Sequence, residues 1–205
     1  ARIVVPREPF WRNVKLLDSR LKLYILVAFL FTLGNSSNVF LLLRAKSIGF
    51  DDTTVILLYF IYNATASLLA VPAGKRSDRV GRKQLLVAGY LVFAVVYMGF
   101  AFVEQKALMV LLFVLYGLYT AMIAGVERAF ISEISPPQLK GTMLGLHSTV
   151  VGVALLPASS IAGILWTVWG APAPFVFGAS LSLLAALVLF LLMKGGLPEQ
   201  ARIDA

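Results

Sequence analysis

The chain has 205 residues, of which 60% are hydrophobic and 14% are charged, and its mean hydropathy is +0.88. Soluble domains are only about 45–50% apolar, so this composition excludes a soluble protein and indicates one that lies in a bilayer. The 18 Lys and Arg outnumber the 10 Asp and Glu, which gives a net charge of +8, and the absence of cysteine excludes disulfides and cysteine-ligated metals.

Six apolar segments follow one another along the chain. Each is close to or longer than the roughly 20 residues that a transmembrane helix requires. The predicted spans are residues 21–43, 53–73, 85–103, 107–131, 142–168 and 174–193. The predicted fold class is therefore all-α, a polytopic membrane protein with six transmembrane helices.

The segments on either side of the spans are more polar. Residues 1–20 mix aromatic, aliphatic and basic side chains, as an interfacial amphipathic helix does. Because the sequence begins at Ala1 rather than Met, we expect it to be an interior piece of a longer chain. We predict a cytoplasmic segment with an amphipathic helix at 1–20, a six-span domain at 21–194 and a cytoplasmic tail at 195–205.

The positive charges are distributed unevenly between the two ends of the spans. If successive spans alternate in direction, fifteen of the 18 Lys and Arg lie on one side of the membrane and three on the other. Cytoplasmic loops carry such an excess, so both termini are predicted to lie in the cytoplasm of a bacterial inner membrane. Topology accounts for the charge, and we expect membrane lipid, not nucleic acid, as the partner of these cations.

The first span is interrupted near its middle by Gly34 and four polar residues, Asn35 to Asn38. Polar groups at membrane depth are unfavourable unless they face protein or water. Two interpretations remain open. The segment either unwinds locally and lines a substrate cavity, or it forms hydrogen bonds between helices without any ligand role.

Two further polar stripes lie on the second and fourth spans. The second span begins with an acidic turn, for which Asp52 or Thr53 is the predicted N-cap. Each stripe falls on one helix face at 3.6 residues per turn, and together with the interrupted segment they predict the walls of one cavity. The predicted cavity residues are Asn35, Ser36, Asn38, Tyr59, Asn63, Tyr116, Tyr119 and Thr120. The alternative is that these buried tyrosines only pack against their neighbours.

The other spans carry fewer polar groups. The third and sixth are almost wholly apolar and are predicted to face lipid. In the fifth, Gly141 and Gly145 form a Gly-x-x-x-Gly pattern that favours close helix contact, and Pro157 is expected to bend the helix. We predict that the first, second, fourth and fifth spans line the cavity.

The connection between the second and third spans holds five basic residues and a specific pattern, Gly74-x-x-x-Asp78-Arg79-x-Gly81-Arg82-Lys83. This pattern resembles the loop signature of the major facilitator superfamily of secondary transporters. The resemblance implies that the chain is the C-terminal six-helix half of such a transporter. It also implies an N-terminal six-helix half, absent from this chain, as the partner with which the substrate site is formed. Residues 1–20 would then be the cytoplasmic interdomain linker between the two halves.

The resemblance further implies a role for this loop. In the family, the loop aspartate and arginine engage neighbouring helix ends, which implies a network of Asp78, Arg82 and Glu133, with Asp78 near the start of the fifth span. We expect this network to act as a conformational latch. The expected latch residues are Gly74, Asp78, Arg79, Gly81, Arg82, Lys83 and Glu133.

The charges near the end of the fourth span are candidates for ion coupling. Glu127 is the deepest of them and, with Arg128, is the predicted coupling site; the alternative is a structural pair with Arg128 or Lys140. His147 is expected to be a buried, hydrogen-bonded residue. One histidine and no cysteine predict neither a metal site nor a Ser-His-Asp arrangement.

The expected function is secondary active transport of a small solute by alternating access, without enzymatic chemistry or a cofactor. No charged residue lies at mid-membrane depth, which favours a neutral, amphipathic or aromatic solute. Two alternatives remain open: a half-size transporter that works as a homodimer, and a membrane sensor or scaffold that has this fold without transport.

Overall fold

The computed structural model describes residues 19–192. Most of the predicted linker at 1–20 and the whole tail at 195–205 lie outside the described residues. The described part contains eight α-helices and one short 3₁₀ turn, without strands. The helices are α1 (Ser19–Gly34), α2 (Val39–Ser47), α3 (Asp52–Val80), α4 (Arg82–Phe102), α5 (Lys106–Ile123), α6 (Val126–Ile134), α7 (Lys140–Trp169) and α8 (Ala173–Leu192). The turn, Pro137–Leu139, precedes α7.

These helices form six units that are long and apolar enough to cross a bilayer, which confirms the predicted fold class. Two of the units are broken. The first span consists of α1 and α2, separated by the polar segment after Gly34, and the fourth consists of α5 and α6, separated at Ala124 and Gly125. The first break is the predicted one, whereas the second was not predicted.

The second span is longer than the sequence pattern suggested. It was predicted to end at residue 73, but α3 continues through the basic signature to Val80, and α4 begins only two residues later. The predicted loop is therefore two helical turns followed by the single residue Gly81. This residue has φ of +95°, a conformation that glycine adopts without a steric penalty.

The prediction that the third span faces lipid is wrong for one side of that helix. Over half of the apolar window of α4 is buried, 56%, against 17% for α3 and for the span of α7. Its buried face carries an aromatic row that packs on α1, α5 and α8, and a separate face remains exposed. The buried row is Tyr90, Phe93, Tyr97 and Phe100. An apolar composition alone does not distinguish contact with lipid from contact with other helices.

Glycines allow two pairs of helices to approach closely. A Cβ atom on Gly34 would lie 2.9 Å from the carbonyl oxygen of Gly178, where α1 meets α8. A Cβ atom on Gly117 would lie 2.6 Å from the carbonyl oxygen of Tyr62, where α5 meets α3. Such contacts drive helix association where lipid offers no hydrophobic difference. By contrast, Gly141 and Gly145 have no atoms within 4 Å of their Cβ positions, so the predicted close contact is not made among the described helices.

The guanidinium of Arg44 fixes the end of the first span to the end of α4. It donates to the carbonyl oxygen of Phe100 at 2.8 Å and to those of Ala101 and Val103 at 3.3 Å. The last carbonyls of a helix lack partners within the helix, and a cation complements the negative end of its dipole. The side chain is buried, so Arg44 is an internal helix cap in addition to a charge at the end of the spans opposite the basic signature.

The start of α3 is capped by Asp51, not by Asp52 or Thr53 as predicted. The backbone N–H of Thr54 donates to Asp51 at 3.2 Å, and its hydroxyl donates at 2.6 Å. These two hydrogen bonds lower the pKa of the Asp51 carboxyl. Asp52 instead forms an ion pair with Lys46 at 2.5 Å, which joins the second span to the end of the first.

Candidate functional site

The break in the first span lies at the centre of the candidate site. After Gly34 the regular hydrogen bonds of α1 end, and α2 begins at Val39, so four residues lie between the two helices. Two of their side chains form hydrogen bonds to other helices. Asn35 Nδ2 donates to the hydroxyl of Tyr119 at 3.0 Å, and Asn38 Nδ2 donates to the hydroxyl of Tyr62 at 2.9 Å.

This segment borders a cavity of about 620 Å³. All of its lining residues are uncharged, and they come from the first, second, fourth and fifth spans, the four that were predicted to line it. The lining residues are Asn35, Ser36, Ser37, Asn38, Tyr62, Asn63, Tyr116, Tyr119, Thr120, Leu155, Leu156 and Ser159. Seven of the eight predicted cavity residues are among them.

Tyr59 is the predicted cavity residue that the lining does not include. It lies one turn away from Asn63 on α3, its side chain is exposed, and its ring packs edge-on against Tyr62 at 5.0 Å between centroids. Tyr62 lies three positions after Tyr59, a spacing that leaves the two about 60° apart around the helix. Tyr62 therefore occupies the position toward the cavity that the stripe suggested for Tyr59.

Asn38 has both ends of its carboxamide occupied. Its Nδ2 donates to Tyr62, and its Oδ1 accepts the hydroxyl of Tyr116 at 2.8 Å. An amide can donate two hydrogen bonds and accept two, so Asn38 keeps one donor and one acceptor position beyond these two bonds. Asn38 thus holds two tyrosines of different helices in fixed positions. The predicted alternative of hydrogen bonding between helices and the predicted cavity lining are both present in this segment.

Two other cavity residues bond to their own helices. Asn63 Nδ2 donates to the backbone carbonyl oxygen of Tyr59 at 2.8 Å. The hydroxyl of Thr120 donates to the backbone carbonyl oxygen of Tyr116 at 2.9 Å. These bonds leave the Oδ1 atom of Asn63 as an acceptor at the cavity wall. The cavity therefore combines amide and hydroxyl groups with aromatic and aliphatic surface.

A groove of about 450 Å³ continues from this cavity toward the end of the molecule that holds the basic signature. It shares Asn63 and Thr120 with the cavity and reaches Asp78 at its other end. Its walls are formed by α3 on one side and by α5 and α6 on the other, and most of the side chains are small. The break at Ala124 and Gly125 forms part of its wall.

Three of the seven predicted latch residues, Asp78, Arg82 and Glu133, meet at the end of this groove. Arg82 Nη1 lies 3.2 Å from Glu133 Oε2 and donates to the carbonyl oxygen of Ala129 at 2.8 Å, while Arg82 Nη2 lies 3.6 Å from Asp78 Oδ1. One guanidinium thus joins α3, α4 and α6. The expected contact of Asp78 with the start of the fifth span is absent among the described residues, where Arg82 is the group with which Asp78 forms an ion pair.

The remaining signature residues have different surroundings. Gly74 lies in the groove wall with open space where a Cβ atom would be, and its carbonyl accepts the hydroxyl of Ser77 at 2.7 Å. Lys83 Nζ donates to the carbonyl oxygen of Phe190 near the end of α8 at 3.3 Å. Arg79 is exposed. The signature therefore contains a groove wall, a helix terminus and two interhelical contacts.

Glu127 lies in the first turn of α6, where four helices meet. The hydroxyl of Tyr90 on α4 donates to its Oε1 at 3.3 Å, and His147 Nε2 on α7 lies 4.0 Å from its Oε2. The ring of Tyr24 on α1 stacks with that of His147 at 6.2 Å. Of the ion pairs among the described residues, none joins Glu127 to Arg128 or Lys140. The group that lies within 4.0 Å of its carboxylate is His147, which is charged only when it is protonated.

Two buried atoms next to Glu127 have no hydrogen-bond partner among the described residues, Tyr24 Oη and His147 Nε2. His147 is buried as predicted, and its Nε2 atom forms no hydrogen bond among the described residues. An unsatisfied buried polar group costs about 1–3 kcal/mol, so such positions are uncommon outside functional sites. In residues 19–192 there is no group of three metal-ligating side chains that could hold a metal ion.

Sequence reasoning missed parts of this site. Pairing of His147 with Glu127 requires two spans to meet, and a spacing along the chain does not reveal that contact. Leu155, Leu156 and Ser159 line the cavity but lie in an ordinary apolar helix. The break at Ala124 carried one signal, since Gly125 directly follows Ala124, and adjacent small residues weaken a helix.

A six-span α-helical fold with a polar cavity among four spans defines the chain as an integral membrane protein. The sequence profile of the Major Facilitator Superfamily matches residues 24–204, and the chain belongs to this superfamily. Its relatives bear the names of transporters, not of enzymes.

Three relatives illustrate the range of similarity. An uncharacterized MFS-type transporter of Methanocaldococcus jannaschii, MJ1317, is 41% identical over 184 residues, which cover 86% of this chain and 46% of the relative. Multidrug resistance protein 1 of Bacillus subtilis is 28% identical over 144 residues, 70% of this chain and 37% of the relative. The quinolone resistance protein NorA of Staphylococcus aureus is 23% identical over 148 residues, 72% of this chain and 38% of the relative. The chain thus spans less than half the length of these relatives.

Proposed function

We propose that this chain is the C-terminal half of a secondary active transporter that moves a small solute by alternating access. The observation that carries the proposal is the uncharged cavity among the first, second, fourth and fifth spans, continuous with a groove that leads to the Arg82 network. A binding site next to a broken helix and an ion-pair network at one end are the parts that alternating access needs. The partner is an N-terminal six-helix half, and the substrate binds between the two halves.

The exposed faces of this domain support a partner half. The spans formed by α3 and α7 are the least buried of the six, and both contribute residues to the cavity wall. Gly141 and Gly145 on α7 have no described neighbour, although their pattern favours close helix contact. The N-terminal half covers these faces and completes the cavity.

The proposed substrate is a neutral, amphipathic or aromatic solute. The cavity lining has no ionised side chain, and it offers tyrosine rings beside amide and hydroxyl groups. Aromatic rings favour flat apolar solutes, and the polar groups orient them. Two of the relatives are named for drug resistance, the multidrug resistance protein of Bacillus subtilis and the quinolone resistance protein of Staphylococcus aureus.

The proposed orientation places both ends of the domain in the cytoplasm of a bacterial inner membrane. Nine of the twelve Lys and Arg in residues 19–192 lie at the end of the spans that holds the basic signature, and three lie at the other end. An excess of this kind marks the cytoplasmic side. In this orientation the groove opens toward the cytoplasm, and the end of α4 that Arg44 caps lies at the outer side of the membrane.

Proton coupling through Glu127 is the proposed energy source. Glu127 is a carboxyl group within a membrane span, and its side chain is only 17% exposed. Ionisable groups at such positions serve as proton relays in many transporters. Arg128 lies next to it on α6 and is exposed at the same end.

Transport in proteoliposomes tests the proposal. The full native protein that contains this chain is reconstituted, and the uptake of a panel of radiolabelled neutral aromatic and charged solutes is measured with and without an imposed pH gradient. We expect accumulation of a neutral aromatic solute that depends on the gradient. Tyr119→Phe together with Asn35→Leu, which removes two polar groups from the cavity, should weaken it. A sensor or scaffold predicts no accumulation of any solute, and a homodimer of half-size chains predicts a native mass near 22.3 kDa for each chain.

A further inference from the structure

The group of side chains around Glu127 extends beyond the coupling residue that the sequence suggested. It brings together Tyr24 of α1, Tyr90 of α4, Glu127 of α6 and His147 of α7. His147 is only 8% exposed in its side chain, and its Nε2 atom has no hydrogen-bond partner among the described residues. The only histidine of the sequence is thus placed beside a buried carboxyl group with one nitrogen unused.

We propose that Glu127 and His147 together form the site that holds the coupling proton. This inference rests on the proposed function. In the proton-bound state the gap of 4.0 Å between His147 Nε2 and Glu127 Oε2 closes to hydrogen-bonding distance, so one proton is shared by the two groups. The proton enters from the aqueous side to which the site is open and leaves to the opposite side. His147 is the partner of the carboxyl group in this step, a position that the sequence assigned to Arg128.

The surrounding groups favour a proton over a sodium ion. Glu127 Oε1 already accepts the hydroxyl of Tyr90, so one carboxylate oxygen remains beside an imidazole nitrogen and the Tyr24 hydroxyl. Hard cations such as Na⁺ bind several oxygen ligands, whereas imidazole nitrogen is a base for protons. No cluster of three acidic or histidine ligands is present in the described part of the chain.

Other titratable and charged groups face the site from the surrounding helices. Tyr24 on α1 and Tyr90 on α4 border it directly, and Tyr119 on α5 lies within electrostatic range of Glu127. Arg128 on α6 acts on both Glu127 and His147 from the exposed side of that helix. At the start of α7, Lys140 lies about two turns before His147. The proposed proton site therefore lies within the field of these groups.

A chain of rings connects the site with the cavity. Tyr90 stacks on Phe31 at 4.2 Å between centroids, and Phe31 contacts Tyr119 at 6.0 Å. Tyr119 lines the cavity and accepts a hydrogen bond from Asn35 of the broken segment. Movement of Tyr119 when solute binds can thus reach the residue that bonds Glu127. Each contact in this path is between packed side chains of different helices.

Infrared titration of the purified full native protein tests the proposal without any substrate. The absorption of protonated carboxyl groups is followed against pH in wild type, Glu127→Gln, His147→Gln and the control Glu104→Gln, an exposed carboxyl in a turn at the opposite end of the spans. We expect Glu127→Gln to lose one titrating carboxyl signal. In His147→Gln the midpoint of that signal should move by about one pH unit or more, a tenfold change in proton affinity. Glu104→Gln should keep the wild-type midpoint.

An unchanged midpoint in His147→Gln would overturn the shared site, and this variant alone decides the question if Glu127→Gln does not fold. Replacing choline chloride by sodium chloride at constant pH gives a second arm. Loss of the protonated signal in sodium would mean that a cation occupies the site, which also contradicts the proposal. Because no solute is used, failure of the transport assay does not affect this result, and a shifted midpoint without transport separates the two proposals.

Discussion

Arg82 and Glu133 are joined across two helices, with 3.2 Å between Nη1 and Oε2. The same nitrogen donates to the carbonyl oxygen of Ala129 at 2.8 Å, one turn earlier on α6. Arg82 is 30% exposed in its side chain and Glu133 34%, so water screens the pair only in part. In the proposed transport cycle these contacts break when α6 moves past α4. The break at Gly125 separates α6 from α5.

Arg82→Ala should shift the equilibrium between the two states of the transporter. Exposed ion pairs contribute about 0–1 kcal/mol, and the bond to the Ala129 carbonyl adds a similar amount, so we expect a change of about 1–2 kcal/mol. This corresponds to a five- to thirty-fold change in the ratio of states. The chain has no cysteine, so Ser67→Cys in the groove wall reports the change through its rate of reaction with a cytoplasmic maleimide.

Two further variants make this measurement specific. Arg76→Ala removes an exposed cation from the same helix end and should leave the labelling rate unchanged. Arg82→Lys keeps the charge but lacks the planar fork that reaches Asp78, Glu133 and Ala129 together, so most of the change should persist. A labelling rate at Ser67→Cys that stays at the reference value in Arg82→Ala would show that the network does not act as a latch.

The outline of the fold could be predicted because each cause lies within one segment. Length and hydropathy alone locate six spans, and the run of polar residues after Gly34 is incompatible with an undisturbed helix in lipid. The cavity residues followed from helical spacing, because Asn63 and Thr120 lie on faces whose neighbours are also polar. The network of Arg82 was implied by a signature whose residues lie close together in sequence.

The rest depends on contacts between segments that are distant in sequence. Arg44 was counted as an outer charge, and only the position of the α4 terminus shows it to be a buried cap. His147 and Glu127 are twenty residues apart and belong to different spans. The third span was assigned to lipid because its residues are apolar, yet aromatic packing against three helices is equally apolar. Residue type alone does not identify which neighbour covers a face.

Asn38→Leu should impair solute binding more than Ser37→Ala. Asn38 is bonded to Tyr62 and Tyr116 at once, so its loss leaves two hydroxyl groups of the cavity wall without their present partners. We expect the affinity for solute to fall about tenfold, which corresponds to roughly 1.4 kcal/mol. Ser37 also lines the cavity but forms only a weak bond of 3.4 Å with the backbone of Val39. Equal solute affinities in the two variants, measured by equilibrium binding, would contradict a positioning role for Asn38.

Arg44→Ala should destabilise the domain. The variant leaves three carbonyl groups at the end of α4 without their donor. A hydrogen bond from a charged group contributes about 1.5–3 kcal/mol, so we expect the free energy of unfolding to fall by about 3 kcal/mol in total. Thermal unfolding in detergent measures it. Lys46→Ala is the matched control, because Lys46 is half exposed and its ion pair with Asp52 is a surface contact. A melting temperature of Arg44→Ala equal to that of the control would refute the cap.

Gly34→Ala should lower the thermal stability of the domain, whereas Gly145→Ala should not. The added methyl group at Gly34 meets the backbone of Gly178 at 2.9 Å, and backbone cannot move aside as a side chain can. Overpacking of this kind costs about 1–3 kcal/mol. At Gly145 no atom of another described helix lies within 4 Å of the position that the Cβ atom would take. The measurement is thermal unfolding of the separately expressed domain, without the partner half, after circular dichroism has established that it is folded. The unfolding midpoint should be lower for Gly34→Ala and not for Gly145→Ala.

Gly145→Ala also distinguishes whether lipid or a partner half contacts this face of α7. In the full native protein, Gly145→Ala should also lower the unfolding midpoint if the N-terminal half packs closely on α7, because close helix packing depends on small residues. Gly152 provides the control, since it lies on the same helix with open space around its Cβ position but outside the Gly-x-x-x-Gly pattern. Equal midpoints for Gly145→Ala, Gly152→Ala and the wild type would mean that lipid covers this face.

Glu127→Gln should abolish accumulation against a gradient while solute exchange continues. Glutamine keeps the shape of the side chain and its contact with Tyr90, but it cannot bind and release a proton. Exchange of solute between the two sides requires only movement of the loaded protein, whereas accumulation requires that proton movement be linked to it. In proteoliposomes, we expect at least a tenfold loss of accumulation driven by a pH gradient, with exchange within about twofold of the wild type.

The pH dependence of exchange then tests the assignment independently of the driving force. In the wild type, the exchange rate should change with pH through protonation of the pair of Glu127 and His147, which are 4.0 Å apart. In Glu127→Gln this dependence should disappear, because the carboxyl group is gone and the imidazole retains no acidic partner there. Glu133→Gln retains Glu127 and should keep the dependence even if its rate differs. Persistence of the wild-type pH dependence in Glu127→Gln would remove this residue from the coupling role and leave the solute gradient as the driving force.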